Sequence, residues 1–320
     1  MAKSQESFDL VDLKLKVSGR GDRLFFGFSS VAAYFAFSLV FLIVIFLGNA
    51  SFSTFKTQGL AFFTGSTWDD AAGVYQIFPM LVGSVLCSIL GLLISAPISI
   101  AIAYFIEFMA PPRLAKALTN IVDLLAALPS IVIAIWGAFV FAPVAAQWAQ
   151  IINNKLGFIP GLQNTSGTFV GSPFIAGWIL AIMMTPIITS VCREIIGSVD
   201  KDLVSAALAL GGTRFSTMRR VVIPTARGGI TGGILLGLGR GLGETIAVLY
   251  VLNLVFIVNF NILENYGGSV APMIAAYYGE SSEVGVSALL AAGVALFLIT
   301  LFVNLIAQIF VGRYEKKMAS

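Results

Sequence analysis

The sequence predicts an all-α, polytopic membrane protein with six transmembrane helices. Its 320 residues are 58% hydrophobic and 11% charged, whereas a soluble domain is about 25% charged. The hydrophobic residues concentrate in six runs, each close to or above the roughly 20 residues that cross a bilayer as a helix. Lysine and arginine concentrate in alternate connections between these runs. Lipid is therefore the expected solvent for most of the chain.

The six apolar runs set the expected spans. The second and fourth contain Pro97 and Pro186, which membrane helices tolerate where neighbouring groups satisfy the freed carbonyls. The third is long for one straight helix, and Pro129 predicts a short helix followed by a kink. The expected limits are about 27–47, 79–106, 120–147, 172–192, 226–256 and 285–311.

The N-terminal 26 residues are mostly polar and precede the first run. That run, 27–47, is longer than the apolar region of a signal peptide, and no convincing cleavage site follows it. We interpret residues 1–26 as a tail, 27–47 as a retained first transmembrane helix, and 312–320 as a second tail.

The basic residues predict the orientation. If both termini are cytoplasmic, sixteen of the nineteen lysines and arginines lie inside, and only Lys56 and Lys155 lie in outside loops. Arg240 lies within a span. Such an imbalance follows the positive-inside rule. The sequence therefore predicts an inner-membrane protein with both termini in the cytoplasm. The outside loops are polar and carry several acids, which is typical of solvated loops and compatible with an external docking protein.

Composition also narrows the chemistry. The chain has no histidine, which excludes ordinary His-based metal sites, and its two cysteines, Cys87 and Cys192, lie in separate apolar runs. We expect no metal and no cofactor. A phosphate-binding G-x-x-x-x-G-K-[ST] loop is missing from the sequence. The chain is therefore not expected to be an enzyme, and any ATP-driven step requires a separate subunit.

Residues 193–225 form the longest inside connection, and its pattern predicts a helical hairpin. Residues 200–210 read as a short amphipathic helix, which Gly211 and Gly212 interrupt. Thr213 is placed to cap a second short helix, which Pro224 is expected to end. Such a hairpin either lies on lipid headgroups or is held by another protein.

The spacing of this loop resembles the EAA loop of ABC-importer permeases. Ser205-Ala206-Ala207, three residues, Gly211, nine residues and VVIP at 221–224 match its pattern, with serine replacing the usual glutamate. The resemblance implies a type I importer permease fold in which this hairpin couples to a cytoplasmic ATPase. The residues assigned to that coupling are Ser205, Ala206, Ala207, Gly211, Phe215 and Pro224.

The fifth span carries a pair of opposite charges, Arg240 and Glu244, expected one turn apart on one helix face. Arg240 lies about 15 residues past Thr225, roughly 22 Å along a helix and near the bilayer midplane. Intramembrane charges are costly and usually face a pathway or a partner. Three interpretations remain open: a substrate path or gate for an anion, a structural ion pair between subunits, and an ion site of a secondary carrier. A stripe of small residues for helix packing accompanies the pair: Gly229, Gly233, Gly237 and Gly241.

Two stretches resemble phosphate-specific (Pst) ABC permeases of the C type. They are LGLGRGLGETIAV at 236–248 and DLLAALPSIV at 123–132, within a resemblance that covers about 75–311. Sulfate and molybdate permeases have a related Arg-Ala-Leu-Gly-Glu motif and remain the alternative. The resemblance implies a permease subunit for inorganic phosphate. It also implies an A-type permease partner, two copies of a cytoplasmic ATPase and a periplasmic or extracellular phosphate-binding protein.

Overall fold

The computed structural model describes residues 20–319, and within that part most of the chain is helical. Six helical segments are long and apolar enough to cross a membrane, which confirms the predicted fold class. The helices are α1 (Arg20–Gln58), α2 (Ala61–Thr64), α3 (Phe78–Phe108), α4 (Pro112–Ala126), α5 (Ser130–Trp136), α6 (Ala142–Leu156), α7 (Pro173–Gly197), α8 (Lys201–Ala209), α9 (Arg214–Thr217), α10 (Ile223–Gly243), α11 (Ile246–Val251), α12 (Val270–Tyr277) and α13 (Glu283–Ala319). Two short antiparallel strands, β1 (Trp68–Asp69) and β2 (Val74–Tyr75), form a hairpin between α2 and α3.

The chain divides into two units at Asn49 and Ala50. The described part of the first unit consists of α1 residues up to Asn49. Its apolar side chains between Leu24 and Phe46 are largely exposed. A helix that is apolar on every side is typical of a membrane span, so these side chains are expected to contact lipid or another polypeptide.

In the second unit, α7 is the central helix, because fifteen of its 25 residues are buried. It packs most extensively against α3 and α10. Glycines allow α3 and α7 to approach closely. A Cβ at Gly91 would lie 3.1 Å from the carbonyl oxygen of Gly177, and one at Gly177 would lie 2.6 Å from Leu90 Cδ2. Small residues at such crossings are usual where membrane helices associate.

The third predicted span is wrong in its limits. The helix that begins at Pro112 ends at Ala126, and the span itself runs from Ser130 to Leu156. Proline disfavours helical geometry in the residue before it, and the chain turns at Leu128-Pro129 as the kink prediction expected. The sequence reasoning had merged the apolar face of amphipathic α4 with the true span.

Two five-residue π-helical turns occur in the described chain, and each ends two residues before a proline. Gly137–Phe141 precedes Pro143, and Met218–Val222 precedes Pro224. A proline lacks an N–H and clashes with the carbonyl four residues earlier, and a widened turn relieves both problems without ending the helix. The expectation that Pro224 ends the second hairpin helix is therefore wrong: helical backbone continues from Arg214 to Gly243.

The loop segments after α6 and α11 are ordered through side-chain hydrogen bonds. Glu264 accepts from the backbone N–H of Thr165 at 2.7 Å and from its hydroxyl at 2.6 Å. Asn164 donates to the carbonyl of Leu263 at 2.6 Å. Burial raises the pKa of Glu264, but the hydrogen bonds from Thr165 and Ser166 outweigh it and lower the pKa overall. Glu264 therefore joins the two loops as a charged acceptor.

A second carboxylate fixes the β-hairpin to the start of α13. Asp70 accepts hydrogen bonds from the backbone N–H of Ser282 at 3.0 Å, from its hydroxyl at 2.8 Å, and from the hydroxyl of Tyr75. These bonds, led by that of Tyr75, lower the pKa of Asp70. We call this set of contacts the Asp70 clasp.

Candidate functional site

The two charges predicted in the fifth span lie at a break in the helix. The expected single span, about 226–256, is wrong because α10 ends at Gly243 and Glu244 is extended, with φ −69° and ψ 121°. The helix resumes as α11 at Ile246. Arg240 is therefore on the last turn of α10, and Glu244 is at the junction rather than on a continuous helix face.

Arg240 and Glu244 form a long ion pair, with 4.0 Å between Nη2 and Oε2. The Glu244 side chain is 8% exposed and that of Arg240 is 37% exposed. Oε1 of Glu244 also accepts from the backbone N–H of Ala247 at 3.4 Å, which satisfies a donor at the start of α11. Glu244 is therefore mostly buried and held by contacts within the protein, whereas the guanidinium of Arg240 is partly exposed and has further donors.

Both charges line a cleft of about 690 Å³ on the side of α10. The cleft follows α10 from Gly232 to Glu244, about 18 Å at 1.5 Å per residue. A Cβ at Gly232, Gly239 or Gly243 would meet no atom within 4 Å, so these glycines widen the cleft. The lining residues are Ile187, Gly232, Leu235, Leu236, Gly239, Arg240, Gly243, Glu244, Asn304 and Gln308.

The glycine stripe faces the other way, towards α7. A Cβ at Gly229 would lie 2.5 Å from Ile195, and one at Gly237 would lie 2.5 Å from Ile188. The contacts at Gly233 and Gly241 are looser, with nearest distances of 3.2 Å to Val191 and to Met184 Sδ. One set of glycines on α10 therefore contacts α7, and the other set leaves space for the cleft.

The hairpin of α8 and α9 has a defined backbone. Gly211 has φ +83°, which favours glycine, and the N–H of Gly212 donates to the carbonyl of Ala207 at 3.1 Å. Thr213 caps α9 by accepting from Ser216 N–H at 3.1 Å. Tyr104 of α3 donates to the carbonyl of Arg214 at 3.0 Å. The hairpin is thereby attached to the helical core.

The outer face of this hairpin is apolar and exposed. Leu210 is 91% exposed, and Phe215 is 66% exposed. Ser205 and Ala206 are exposed, and Ala207 is half-buried. Pro224 lies at the start of α10 rather than on the hairpin tip. A cluster of exposed large apolar side chains marks a contact surface for protein or membrane.

Sequence reasoning missed two lining residues, Asn304 and Gln308 of α13. The available signal was a pair of carboxamides one turn apart in an otherwise apolar helix. Polar side chains at that spacing share a face, and that face borders the same cleft as Arg240. The polar groups that line the cleft are one partly exposed guanidinium, one carboxylate that offsets its positive charge, and two neutral amides.

Comparisons with known proteins agree with this architecture. Residues 95–319 match the family described as binding-protein-dependent transport system inner membrane component. The phosphate transport system permease protein PstC 2 of Mycobacterium tuberculosis is 36% identical over 309 residues, covering 95% of each chain. PstC of Pasteurella multocida is 36% identical over 290 residues, covering 89% of this chain and 90% of its own.

Solved structures show the same fold at low identity. A bacterial alginate ABC transporter, solved with an alginate-bound periplasmic protein, matches with TM-score 0.59 and 16% identity over 89% of this chain and 93% of its own. The MetNI methionine ABC transporter matches with TM-score 0.53 and 14% identity over 74% and 96%. The chain therefore belongs to the binding-protein-dependent transport system inner membrane components, and within them to the PstC group of permease proteins.

Proposed function

We propose that this chain is the transmembrane permease subunit of an ATP-driven importer for inorganic phosphate. The observation that carries the proposal is the similarity to PstC permeases over nearly the full length of both chains. The cleft supports it, because a partly exposed arginine among apolar walls suits an oxyanion. The chain is not the enzyme of the system, since members of this family are permease subunits and the ATPase is a separate subunit.

In this proposal, Arg240 and Glu244 line or gate the path of the anion. The guanidinium attracts phosphate, and Glu244 neutralises it while the path is empty. Their 4.0 Å separation supports such an exchange, because a long ion pair is held by charge rather than by an optimal hydrogen bond. An incoming phosphate then replaces a weak partner with a bidentate one.

The hairpin transmits the energy of ATP hydrolysis. The exposed Leu210 and Phe215 form an apolar tip for a groove of the ATPase, with Ser205, Ala206, Ala207 and Gly211 shaping the contact. Helical backbone runs without interruption from Arg214 on the hairpin to Arg240. A movement of the hairpin is thereby passed to the cleft along one continuous helical segment. Pro224 lies within this segment and does not interrupt it.

The complete importer contains partners that this chain alone does not supply. We propose an A-type permease as the second half of the path, two copies of the ATPase, and a periplasmic or extracellular phosphate-binding protein. The complex lies in a bacterial or archaeal cytoplasmic membrane with both termini of this chain inside. The loops joined through Glu264 and Asp70 are on the outer side, where the binding protein docks.

Reconstitution tests this function. Proteoliposomes containing the permease pair and its ATPase are given ATP inside and the loaded binding protein outside, and uptake of radiolabelled phosphate is measured. We expect uptake that requires ATP and resists competition by sulfate and molybdate. Uptake that persists without the ATPase but needs an ion gradient contradicts the proposal, as does preferential uptake of sulfate or molybdate.

A further inference from the structure

Helix α13 presents two carboxamides to the cleft. Asn304 and Gln308 are one turn apart, and both border the space that Arg240 and Glu244 line from α10. The residues between them and on either side are largely apolar. A polar group in a membrane helix is costly unless it has a partner, so this pair requires an explanation that packing does not supply.

The side-chain carbonyl of Asn304 has no hydrogen-bond donor within the described part of the chain. Its Oδ1 is buried and receives no hydrogen bond from any residue that the structure describes. A buried carbonyl without a hydrogen-bond donor is destabilising. Thr300, one turn earlier on α13, differs, because its hydroxyl donates to the carbonyl of Leu296 at 2.8 Å. The helix thus satisfies Thr300 internally and leaves Oδ1 of Asn304, in a residue that borders the cleft, without a hydrogen-bond partner among residues 20–319.

From these contacts we infer that Asn304 and Gln308 form a second set of ligands for the transported anion, facing the Arg240 side of the cleft. This inference rests on the proposed function and adds the wall that α13 contributes. Each amide N–H₂ offers two donors to the oxygens of phosphate. Being neutral, the amides bind the anion less tightly than a second arginine would, which suits a path that the anion must also leave.

The amides also provide selectivity. Inorganic phosphate near neutral pH is a mixture of H₂PO₄⁻ and HPO₄²⁻, and both forms carry a P–O–H group that needs an acceptor. Asn304 on α13 and Glu244 on α10 both border the cleft and carry acceptor oxygens, and Oδ1 of Asn304 has no partner among the described residues. Sulfate has no such proton and leaves these acceptors unpaired. A site that requires the P–O–H hydrogen bond therefore discriminates against sulfate.

Leucine substitutions test the transport role in the reconstituted importer. Asn304→Leu and Gln308→Leu keep similar volumes and remove the amides, and Thr300→Val is the matched control on the same helix. Loss of a hydrogen bond to a charged group is worth about 1.5–3 kcal/mol, so uptake should fall about tenfold or more for Asn304→Leu. ATP hydrolysis stimulated by the loaded binding protein should persist, and Thr300→Val should transport normally.

A cysteine readout separates this role from a structural one. In Asn304→Cys and Gln308→Cys, a charged, water-soluble thiol reagent should react, and phosphate should slow the reaction. Leu305→Cys lies outside the cleft lining, on a face of this membrane span that is expected to contact lipid, so the charged reagent should not reach it. The native Cys87 and Cys192 are buried. Unprotected or unreactive cysteines at both positions overturn the inference and indicate that the amides pair with another polypeptide.

The two proposals fail differently. If Arg240→Gln abolishes uptake while Asn304→Leu transports normally, only the inference about α13 is wrong. If the unsubstituted importer takes up no phosphate, the proposed function itself is wrong. Where Asn304→Leu does not assemble, the protection of Asn304→Cys by phosphate still decides the question.

Discussion

Gly237 of α10 lies directly against Ile188 of α7, so that a Cβ there would be 2.5 Å from both Cγ1 and Cδ1 of the isoleucine. Two residues further along the same helix, a Cβ at Gly239 would meet nothing within 4 Å. The two glycines have opposite surroundings although they share one helix. Packing and cleft formation on α10 can therefore be tested separately.

Gly237→Ala should destabilise the protein. The added methyl group requires the α7 contact to shift, and such overpacking costs about 1–3 kcal/mol. Gly239→Ala is the control, and it should be neutral or stabilising by up to about 1 kcal/mol because alanine favours a helix. Thermal unfolding of the purified complex in detergent measures both. Equal stability of the two variants would show that Gly237 does not set the distance between α10 and α7.

Replacement of Gly211 should impair coupling rather than the cleft. Its φ of +83° is strained for a side chain with a Cβ, at a cost of about 1–2 kcal/mol. Gly211→Val should weaken co-purification of the ATPase and lower phosphate uptake, whereas Gly211→Asn should be milder because asparagine tolerates this conformation. The apolar tip at Leu210 is displaced in the first variant only. Indistinguishable variants with normal ATPase binding would argue against a role of this turn.

The Asp70 clasp should be insensitive to pH across the neutral range. Hydrogen bonding lowers the pKa of Asp70 in the folded state, so the stabilisation is complete above the ordinary aspartate value of about 4 and is lost as the pH falls through the lowered pKa. Hydrogen exchange of residues 67–75 and 282–286, corrected for the intrinsic rate, should stay constant between about pH 6 and 8.

Asp70→Asn should increase that exchange even at neutral pH, because it removes the charged acceptor shared by Ser282 and Tyr75. Asp69→Asn is the control. The Asp69 carboxylate accepts from the N–H groups of Ala71 and Ala72 in its own turn, so its replacement should leave residues 282–286 protected. Loss of protection near pH 6 in the unsubstituted protein would contradict the sign of the Asp70 shift.

Helix α10 shows which features of the candidate site the sequence predicts and which it does not. The charges at 240 and 244 and the four-residue glycine spacing were visible because helical periodicity places them without knowledge of neighbours. The break at Glu244 was not, since no proline marks it. Gly241 and Gly243 lower helix propensity there, but the carboxylate that accepts from Ala247 is a contact only the folded chain reveals.

The same distinction explains the other errors. The third span was misplaced because the apolar face of α4 looks like membrane helix in a hydropathy profile, and only its polar face and Pro129 separate the two. Asn304 was overlooked because its meaning depends on which side of α13 faces α10. Composition predicts that a segment spans the membrane, whereas tertiary packing decides which of its polar residues line the cleft.

The central claim is that Arg240 contacts or gates the phosphate that crosses the membrane. Its most direct test is phosphate uptake by reconstituted importers containing Arg240→Gln, with Arg240→Lys as the charge-preserving control and equal protein in each membrane. We predict that Arg240→Gln abolishes uptake while the ATPase still binds, and that Arg240→Lys retains part of it, since lysine keeps the charge but not the bidentate geometry. Near-normal uptake by Arg240→Gln would contradict the account.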